Sequence, residues 1–335
     1  MKLKKTRIAI NGFGRIGRNL FRLLLDHPSI EVVAINDIAD NKTMAHLLKY
    51  DSIHGVLPNV ISYNEDSILV DEKPYSFFHE KEIKNLDWKS LNVDFAVEST
   101  GKYKTYEDIF QHIGAGAKKI ILSAPAEVEN IKTVVLGVNE HILDGNELII
   151  SNASCTTNNA APMIKVIEEL CGIEQAYITT VHSYTTDQSL HDQPHKDLRR
   201  ARGASQSIVP TTTGAAKALT KIFPELEGKI GGCGIRVPVP DGSLTDITFN
   251  VKHEVSIEEI NLAFQKAAEG QLKGILAYTE DPIVSVDILG NRNSCLFDSQ
   301  LTSVIDKMVK VVGWYDNEIG YSSRIIDLIT LIDKK

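Results

Sequence analysis

The run Arg7-Ile8-Ala9-Ile10-Asn11-Gly12-Phe13-Gly14-Arg15-Ile16-Gly17 decides the fold. A short apolar segment with the texture of a strand ends in glycines spaced G-x-G-x-x-G. Leu20, Leu23 and Leu24 then share one face at helical spacing. Strand, tight turn and helix in that order form a dinucleotide-binding turn. The glycines permit the turn, let the backbone approach a pyrophosphate and allow close helix–sheet packing, while the helix start offers unpaired N–H donors to an anion. The helix is expected over about residues 14–26, where His27-Pro28 stops it. A second strand, Glu31–Asn36, ends at Asp37, twenty residues beyond Gly17. That offset suits an acid accepting hydrogen bonds from a ribose diol, and its charge repels a 2′-phosphate, favouring NAD over NADP.

Further β-branched runs follow at Val93–Glu98, Lys119–Ser123, Thr133–Val138 and Glu147–Ile150, separated by helical or polar stretches. Strands alternating with helices imply a parallel, doubly wound sheet of Rossmann type. After Ser151 the texture changes. A helix over about Thr156–Leu170 is followed by strands near Gln175–Val181, Lys229–Val237 and Thr245–Glu254, an α+β half with a mostly antiparallel sheet. The span from Ser183 to Pro210 is polar and aperiodic, and a loop that long is uncommon unless it binds something. Ser256-Ile257-Glu258-Glu259 is a capping box for a helix ending near Gly270, and residues 320–332 read as a C-terminal helix.

At 335 residues with 43% hydrophobic and 24% charged content, the chain has the composition of a globular protein of two domains. Lys and Arg number 36 against 44 Asp and Glu, and the net charge of −8 disfavours non-specific binding to nucleic acid. No apolar run approaches the roughly 20 residues of a membrane-spanning helix. Met1-Lys2-Leu3-Lys4-Lys5 leads toward a strand instead of an apolar signal core, so a cytoplasmic protein is expected. Cys155, Cys171, Cys233 and Cys295 form no C-x-x-C pair, so neither a disulfide framework nor a zinc site is signalled and no metal is expected.

Cys155, in Ser154-Cys155-Thr156-Thr157-Asn158, follows a strand and opens a helix, a position that lowers a thiol pKa. The other three cysteines read as inert packing residues. His182 ends a β-rich run, where open sheets gather active-site groups. Spacing alone leaves the pair open: 27 residues separate the two, and a strand-end histidine is as a rule a satisfied polar group. Arg199-Arg200-x-Arg202 in the polar loop, Arg236 following a strand and Thr211-Thr212-Thr213-Gly214 before a helix add anion donors, pointing to a phosphorylated substrate.

Four segments together, Asn11–Arg18, Ser151–Asn158, His182-Ser183-Tyr184-Thr185 and Trp314-Tyr315-Asp316-Asn317-Glu318, closely resemble the phosphorylating glyceraldehyde-3-phosphate dehydrogenases, and the resemblance runs through essentially the whole chain. It implies a homotetrameric NAD-dependent enzyme of glycolysis and gluconeogenesis that oxidises glyceraldehyde 3-phosphate through a cysteine thioester, with inorganic phosphate as second substrate. By resemblance, Cys155 is the nucleophile and His182 its base. Arg15 and Ile16 line the pyrophosphate turn, Asp37 takes the adenosine ribose, and Ser123 and Asn317 approach the nicotinamide. Thr185 and Arg236 bind the substrate phosphate. Ser154, Thr156, Thr213 and Gly214 bind inorganic phosphate, with Arg200 the loop arginine of this region. The implied domains are an NAD-binding domain over 1–154 and a catalytic domain over 155–317, with the helix over about 318–335 packing back onto the first.

Three positions depart from the family pattern. Asn159 stands where many relatives carry a second cysteine, Lys81 where an arginine commonly contacts the adenine region, and Gln193 where NAD-specific members often have leucine. The rival readings are an erythrose-4-phosphate dehydrogenase, which tends to lose parts of the phosphate sites, and a non-catalytic NAD-binding protein.

Overall fold

The computed structural model describes residues 5–334, so the expectation for Met1–Lys4 lies outside the described residues. The chain divides into two compact units. The first comprises residues up to Val134, His141–Ala153 and the segment from Ser322; the second comprises Val135–Glu140 and Ser154–Tyr321.

The first unit is built on a nine-stranded sheet. Its central strand, Thr6–Asn11, pairs in parallel with Ile30–Asn36 on one side and Phe95–Glu98 on the other. Ile8, Ala9 and Ile10 are all fully buried, as expected of a parallel strand covered on both faces. Beyond Phe95–Glu98 lie Lys119–Leu122, Ile149–Ser151 and Lys132–Thr133; beyond Ile30–Asn36 lie Lys73–Phe78 and an antiparallel extension, Ser67–Val70 and Ile61–Tyr63. The chain thus leaves the first strand in one direction, returns, and continues in the other. That creates a topological switch point at the carboxyl end of Thr6–Asn11.

The glycine turn sits at that point. Gly12 has φ +94° and Gly17 packs so closely that a Cβ there would lie 2.2 Å from the Gly12 oxygen. Phe13, between them, is fully buried and meets Phe21 and Phe77 edge-on, which anchors the turn on the core. A buried polar chain ties the strand ends together. Trp88 Nε1 donates to His112 Nδ1 at 2.9 Å, so the His112 proton lies on Nε2, 3.1 Å from Glu98 Oε2. Glu98 Oε2 also accepts from Asn11 Nδ2 at 2.6 Å, and Asn36 Nδ2 donates to Asn11 Oδ1 at 2.8 Å. The C-terminal helix, Ile319–Asp333, buries Ile325, Leu328 and Ile329, and its Asp333 accepts from Thr6 Oγ1 at 2.7 Å.

The second unit carries an eight-stranded sheet with the path Val209–Thr211, Ile230–Val237, Ile173–Ser183, Ser243–Val251, Met308–Tyr315, Cys295–Asp298 and Leu276–Thr279, with Ser303–Ile305 beside Met308–Tyr315. Two pairings, Ile173–Ser183 with Ile230–Val237 and Leu276–Thr279 with Cys295–Asp298, are parallel and the rest antiparallel. The helix Cys155–Cys171 packs on this sheet through Met163, Ile164 and Ile167. The expected capping box is present at Ser256 and Glu259, opening Ile257–Glu269.

Two expectations change. The strand expected over Thr133–Val138 is confined to Lys132–Thr133, because the chain turns directly afterwards, with Val138 N donating to Val135 O and Gly137 at φ +79°. Met308–Tyr315, a central strand of the second sheet, was not assigned from the sequence, although its alternating Val309, Val311 and polar Lys310 carry that signal.

Candidate active site

The first unit holds a cavity of about 510 Å³ at the carboxyl ends of its central strands, the candidate cofactor site. Asn11, Gly12, Gly14, Asp37, Lys81 and Thr100 are among its lining residues. The helix Arg15–Leu24 opens beside it with no side-chain cap and no acidic residue in its first turn. A helix start of this kind carries N–H donors and a partial positive charge. A Cβ on Gly14 would meet nothing within 4 Å, so open space adjoins those donors. Such an arrangement suits the pyrophosphate of a dinucleotide. Asp37 is fixed at the cavity edge: Oδ2 accepts from Phe13 N at 2.7 Å and Oδ1 from Ala39 N at 3.0 Å. Each oxygen keeps a further lone pair for a ribose hydroxyl.

Arg15 places its backbone at the helix start but commits its side chain elsewhere, pairing with Asp51 Oδ2 at 2.6 Å. Burial pushes Asp51 upward, yet the hydrogen bonds from Arg15 and from the N–H groups of His54 and Ile53 outweigh it and hold the carboxyl at about 2. Ile16 is half-buried beside it in the first turn. Ser123 follows the strand Lys119–Leu122, with its N–H on Glu98 O at 2.9 Å. Lys81 is exposed, and its carbonyl accepts from Tyr103 Oη at 2.8 Å.

The second unit carries the candidate catalytic residues. Ala153, at φ +56°, precedes Ser154, whose hydroxyl accepts from Thr157 N at 3.1 Å and caps the helix Cys155–Cys171. A non-glycine residue in the left-handed region stores strain of the kind found at functional sites. Cys155 is the first helical residue, and its Sγ lies 3.4 Å from His182 Nε2. His182 comes from the strand Ile173–Ser183 and Arg236 from Ile230–Val237, and the register makes them direct partners. Arg236 therefore lies within its strand, inside the range Lys229–Val237 expected for it, and a guanidinium is brought against the imidazole: Nη1 is 2.6 Å from Nδ1.

The environment corrects one expectation. The helix start does favour the Cys155 thiolate through the Thr156 N–H, and Arg236 adds a positive charge, but burial outweighs both and pushes the thiol up. Burial first and Arg236 second drive the His182 imidazolium down to about 3. Tyr315 lies behind them, its Oη 2.9 Å from both Thr156 Oγ1 and Thr180 Oγ1 and its ring edge-on to His182.

Around this pair the anion donors are already engaged within the chain. Thr185 Oγ1 and Arg200 Nη1 both donate to Asp187, while Arg200 Nε donates to Thr211 Oγ1 at 2.9 Å. Burial raises the Asp187 carboxyl, but the Thr185 hydrogen bond and the charges of Arg236 and Arg200 bring it below its ordinary value. Thr213 Oγ1 accepts from Ala215 N at 3.2 Å, and Gly214 begins the helix Ala215–Ile222. Asn317 Oδ1 accepts from Ser183 Oγ at 2.8 Å and Ser243 Oγ at 2.7 Å, which leaves its amide N–H groups as donors. Sequence reasoning missed Asp187 and the direct Arg236–His182 contact; only cross-strand register reveals the latter.

Two departures acquire a structural account. Asn159 donates to the backbone oxygens of Ser294 at 3.3 Å and Trp314 at 3.2 Å, fastening the helix to the sheet. Gln193 turns its amide onto Ser189 within its own loop.

The model of the glyceraldehyde 3-phosphate dehydrogenase NAD-binding domain matches residues 6–106, and that of the C-terminal domain of the same enzymes matches residues 154–317. The chain belongs to the glyceraldehyde-3-phosphate dehydrogenase family. It is 54% identical to glyceraldehyde-3-phosphate dehydrogenase 2 of Streptomyces avermitilis over 329 residues, covering 97% of this chain and 98% of the relative. It is also 54% identical to the Geobacillus stearothermophilus enzyme, with 98% of each chain covered. Identity to the Mycobacterium tuberculosis enzyme is 53%, again over 98% of each. The chain is therefore an oxidoreductase with an NAD-binding Rossmann domain and a catalytic domain.

Proposed function

We propose that this chain oxidises D-glyceraldehyde 3-phosphate to 1,3-bisphosphoglycerate with NAD and inorganic phosphate, a step of glycolysis and gluconeogenesis. The observation that carries the reading is the Cys155 Sγ at a helix start, 3.4 Å from His182 Nε2, with Arg236 Nη1 2.6 Å from the other nitrogen of the same ring. In this reading residues 1–154 hold the cofactor, 155–317 carry the chemistry, and the helix over about 318–335 belongs with the first domain. Gly12, Gly14, Arg15, Ile16 and Gly17 hold the pyrophosphate, Asp37 and Lys81 the adenosine end, and Ser123 and Asn317 the nicotinamide.

Cys155 gives its proton to His182 and attacks the aldehyde carbon, and the imidazolium returns that proton to the alkoxide, which forms the hemithioacetal and leaves His182 neutral. His182 then removes the hydroxyl proton as the carbon loses hydride. Bound NAD supplies the two-electron acceptor. The Cys155 N–H stabilises oxygen charge as it develops. Phosphate oxygen next attacks the Cys155 thioester, releasing acyl phosphate and regenerating the thiolate. Thr185 and Arg236 hold the substrate phosphate; Ser154, Thr156, Thr213, Gly214 and Arg200 serve the attacking phosphate. Because Thr185 and Arg200 rest on Asp187, an incoming phosphate takes over donors that a carboxylate now occupies.

The exposed apolar side chains of Leu190, Leu198 and Ile208 in and beside the polar loop support assembly as a homotetramer, which sedimentation measures. No helix among the described residues is long and apolar enough to cross a membrane, and the four cysteines are unpaired, in keeping with a reducing cytoplasm. Cys155→Ser tests the function: NADH formation is abolished while NAD binding persists. Retained turnover refutes it. Parallel assays with erythrose 4-phosphate, with and without inorganic phosphate, separate the aldehydes.

A further inference from the structure

We propose that Glu98 is a positioning residue for the adenosine and pyrophosphate half of the cofactor: its buried carboxylate, fastened from behind by His112 and Trp88, joins the segments that wall the cavity of the first unit into one hydrogen-bonded network. The inference rests on the reading of that cavity as the dinucleotide site.

The strands Thr6–Asn11, Ile30–Asn36 and Phe95–Glu98 end in register, with Asn11 opposite Asn36 on one side and Glu98 on the other. Glu98 is 1% exposed and its carboxylate accepts four hydrogen bonds. Oε2 takes them from Asn11 Nδ2 at 2.6 Å and His112 Nε2 at 3.1 Å, Oε1 from Thr100 N at 2.9 Å and Thr100 Oγ1. Asn11 extends the row, its Oδ1 accepting from Asn36 Nδ2 at 2.8 Å. Asn36 then grips the backbone of Glu80 at both ends: Nδ2 donates to Glu80 O and Oδ1 accepts from Glu80 N, each at 2.9 Å. Asn11, Asn36, Glu80 and Thr100 all line the cavity, whereas Glu98, His112 and Trp88 stand behind its wall. Each gripped segment carries a group proposed to meet the ligand. Gly12 follows Asn11, Asp37 follows Asn36 and Lys81 follows Glu80.

Packing alone does not account for a carboxylate here. Removing a charge from water is costly, and an apolar side chain of similar volume fills such a place at least as well. What an apolar side chain lacks is the capacity to accept from four donors at once. The grip on Thr100 reaches the glycine turn directly, because a Cβ on Gly12 would lie 2.6 Å from Thr100 N. Displacing residue 100 therefore displaces the pyrophosphate turn. Trp88 Nε1 donates to His112 Nδ1 at 2.9 Å, which fixes the His112 donor on the nitrogen that faces Glu98. With the segments ordered in advance, the cofactor does not bear the cost of ordering them as it binds. No side chain assigned to the nicotinamide belongs to the network, so its effect is confined to the other half of the molecule.

Glu98→Gln keeps the size of the side chain but turns an NH2 group toward donors. Titration of the full chain with NAD and with ADP-ribose, the cofactor without its nicotinamide, should show both dissociation constants raised by the same factor, about tenfold to a hundredfold, the scale of one hydrogen bond to a charged group. The KM for NAD should rise with them while kcat at saturating NAD stays near wild type. Lower stability in urea with both affinities unchanged makes the carboxylate merely structural and overturns the proposal, as does weakened NAD binding that spares ADP-ribose. A second pair of variants reads the same network if Glu98→Gln does not fold. His112→Leu removes the donor behind Glu98 and should weaken both ligands. His112→Gln, whose amide offers an acceptor to Trp88 and a donor to Glu98, should restore most of the affinity; wild-type affinity in His112→Leu overturns the proposal. An Asp37→Gly variant that binds NAD and NADP as the wild type does would instead refute the reading of the cavity as the dinucleotide site.

Discussion

Replacing His182 with Gln exposes both the cost of its burial and its chemical role. The residue is 5% exposed, and burial with the adjacent Arg236 holds its imidazolium at about 3, against an ordinary 6.5. Between those values the unfolded chain takes up a proton that the folded chain refuses, so stability falls as pH drops from 6.5 toward 3 and is unaffected by this group above 6.5. At about 1.4 kcal/mol per pKa unit, the shift corresponds to about 5 kcal/mol of acid sensitivity, an order-of-magnitude figure. His182→Gln should remove that component. Urea unfolding at pH 4 and pH 7 measures it, and the pH-dependent loss of stability should be several kcal/mol smaller in the variant. The same substitution removes the proposed base, so single-turnover NADH formation at pH 7 should fall by about 10²–10⁴, the usual worth of a positioned general base. An unchanged acid sensitivity would show that the imidazole is not held neutral by its surroundings. An unchanged oxidation rate would show that it is not the base.

Three other substitutions test the cofactor half. Asp37→Gly should raise the ratio of NADP to NAD efficiency about tenfold or more, by removing one charged acceptor and its repulsion; steady-state kinetics with both cofactors check it, and an unaltered ratio contradicts the assigned role. Gly17→Ala forces a Cβ to within 2.2 Å of the Gly12 oxygen and should cost about 1–3 kcal/mol in denaturant melts. Gly14→Ala meets nothing within 4 Å, so its melting should stay near wild type while NAD affinity drops, as read by titration of bound cofactor.

The cofactor fold was legible in the sequence because its determinants are local. A parallel strand buried on both faces must be apolar throughout, a turn against a backbone oxygen must use glycine, and an acid at the end of the next strand falls at a set distance along the chain. Arg7–Asn11, Gly12–Gly17 and Asp37 carry all three within about thirty residues. Cys155 was legible for the same reason: Ser154, the cap that starts its helix, is its neighbour in sequence.

What the tertiary structure decided depends on pairing between distant segments. Only the register of Ile173–Ser183 against Ile230–Val237 sets Arg236 beside His182, where its charge adds to burial in disfavouring the imidazolium. Helix position alone argued for a lowered thiol pKa, whereas enclosure among Tyr315, His182 and the sheet supplies the larger, opposite effect. Burial is a sum over groups drawn from the whole second unit, so no window of sequence around Cys155 contains it. Asp187 belongs with these: within the long polar loop it is one acid among several, and only the fold brings it to Thr185 and Arg200.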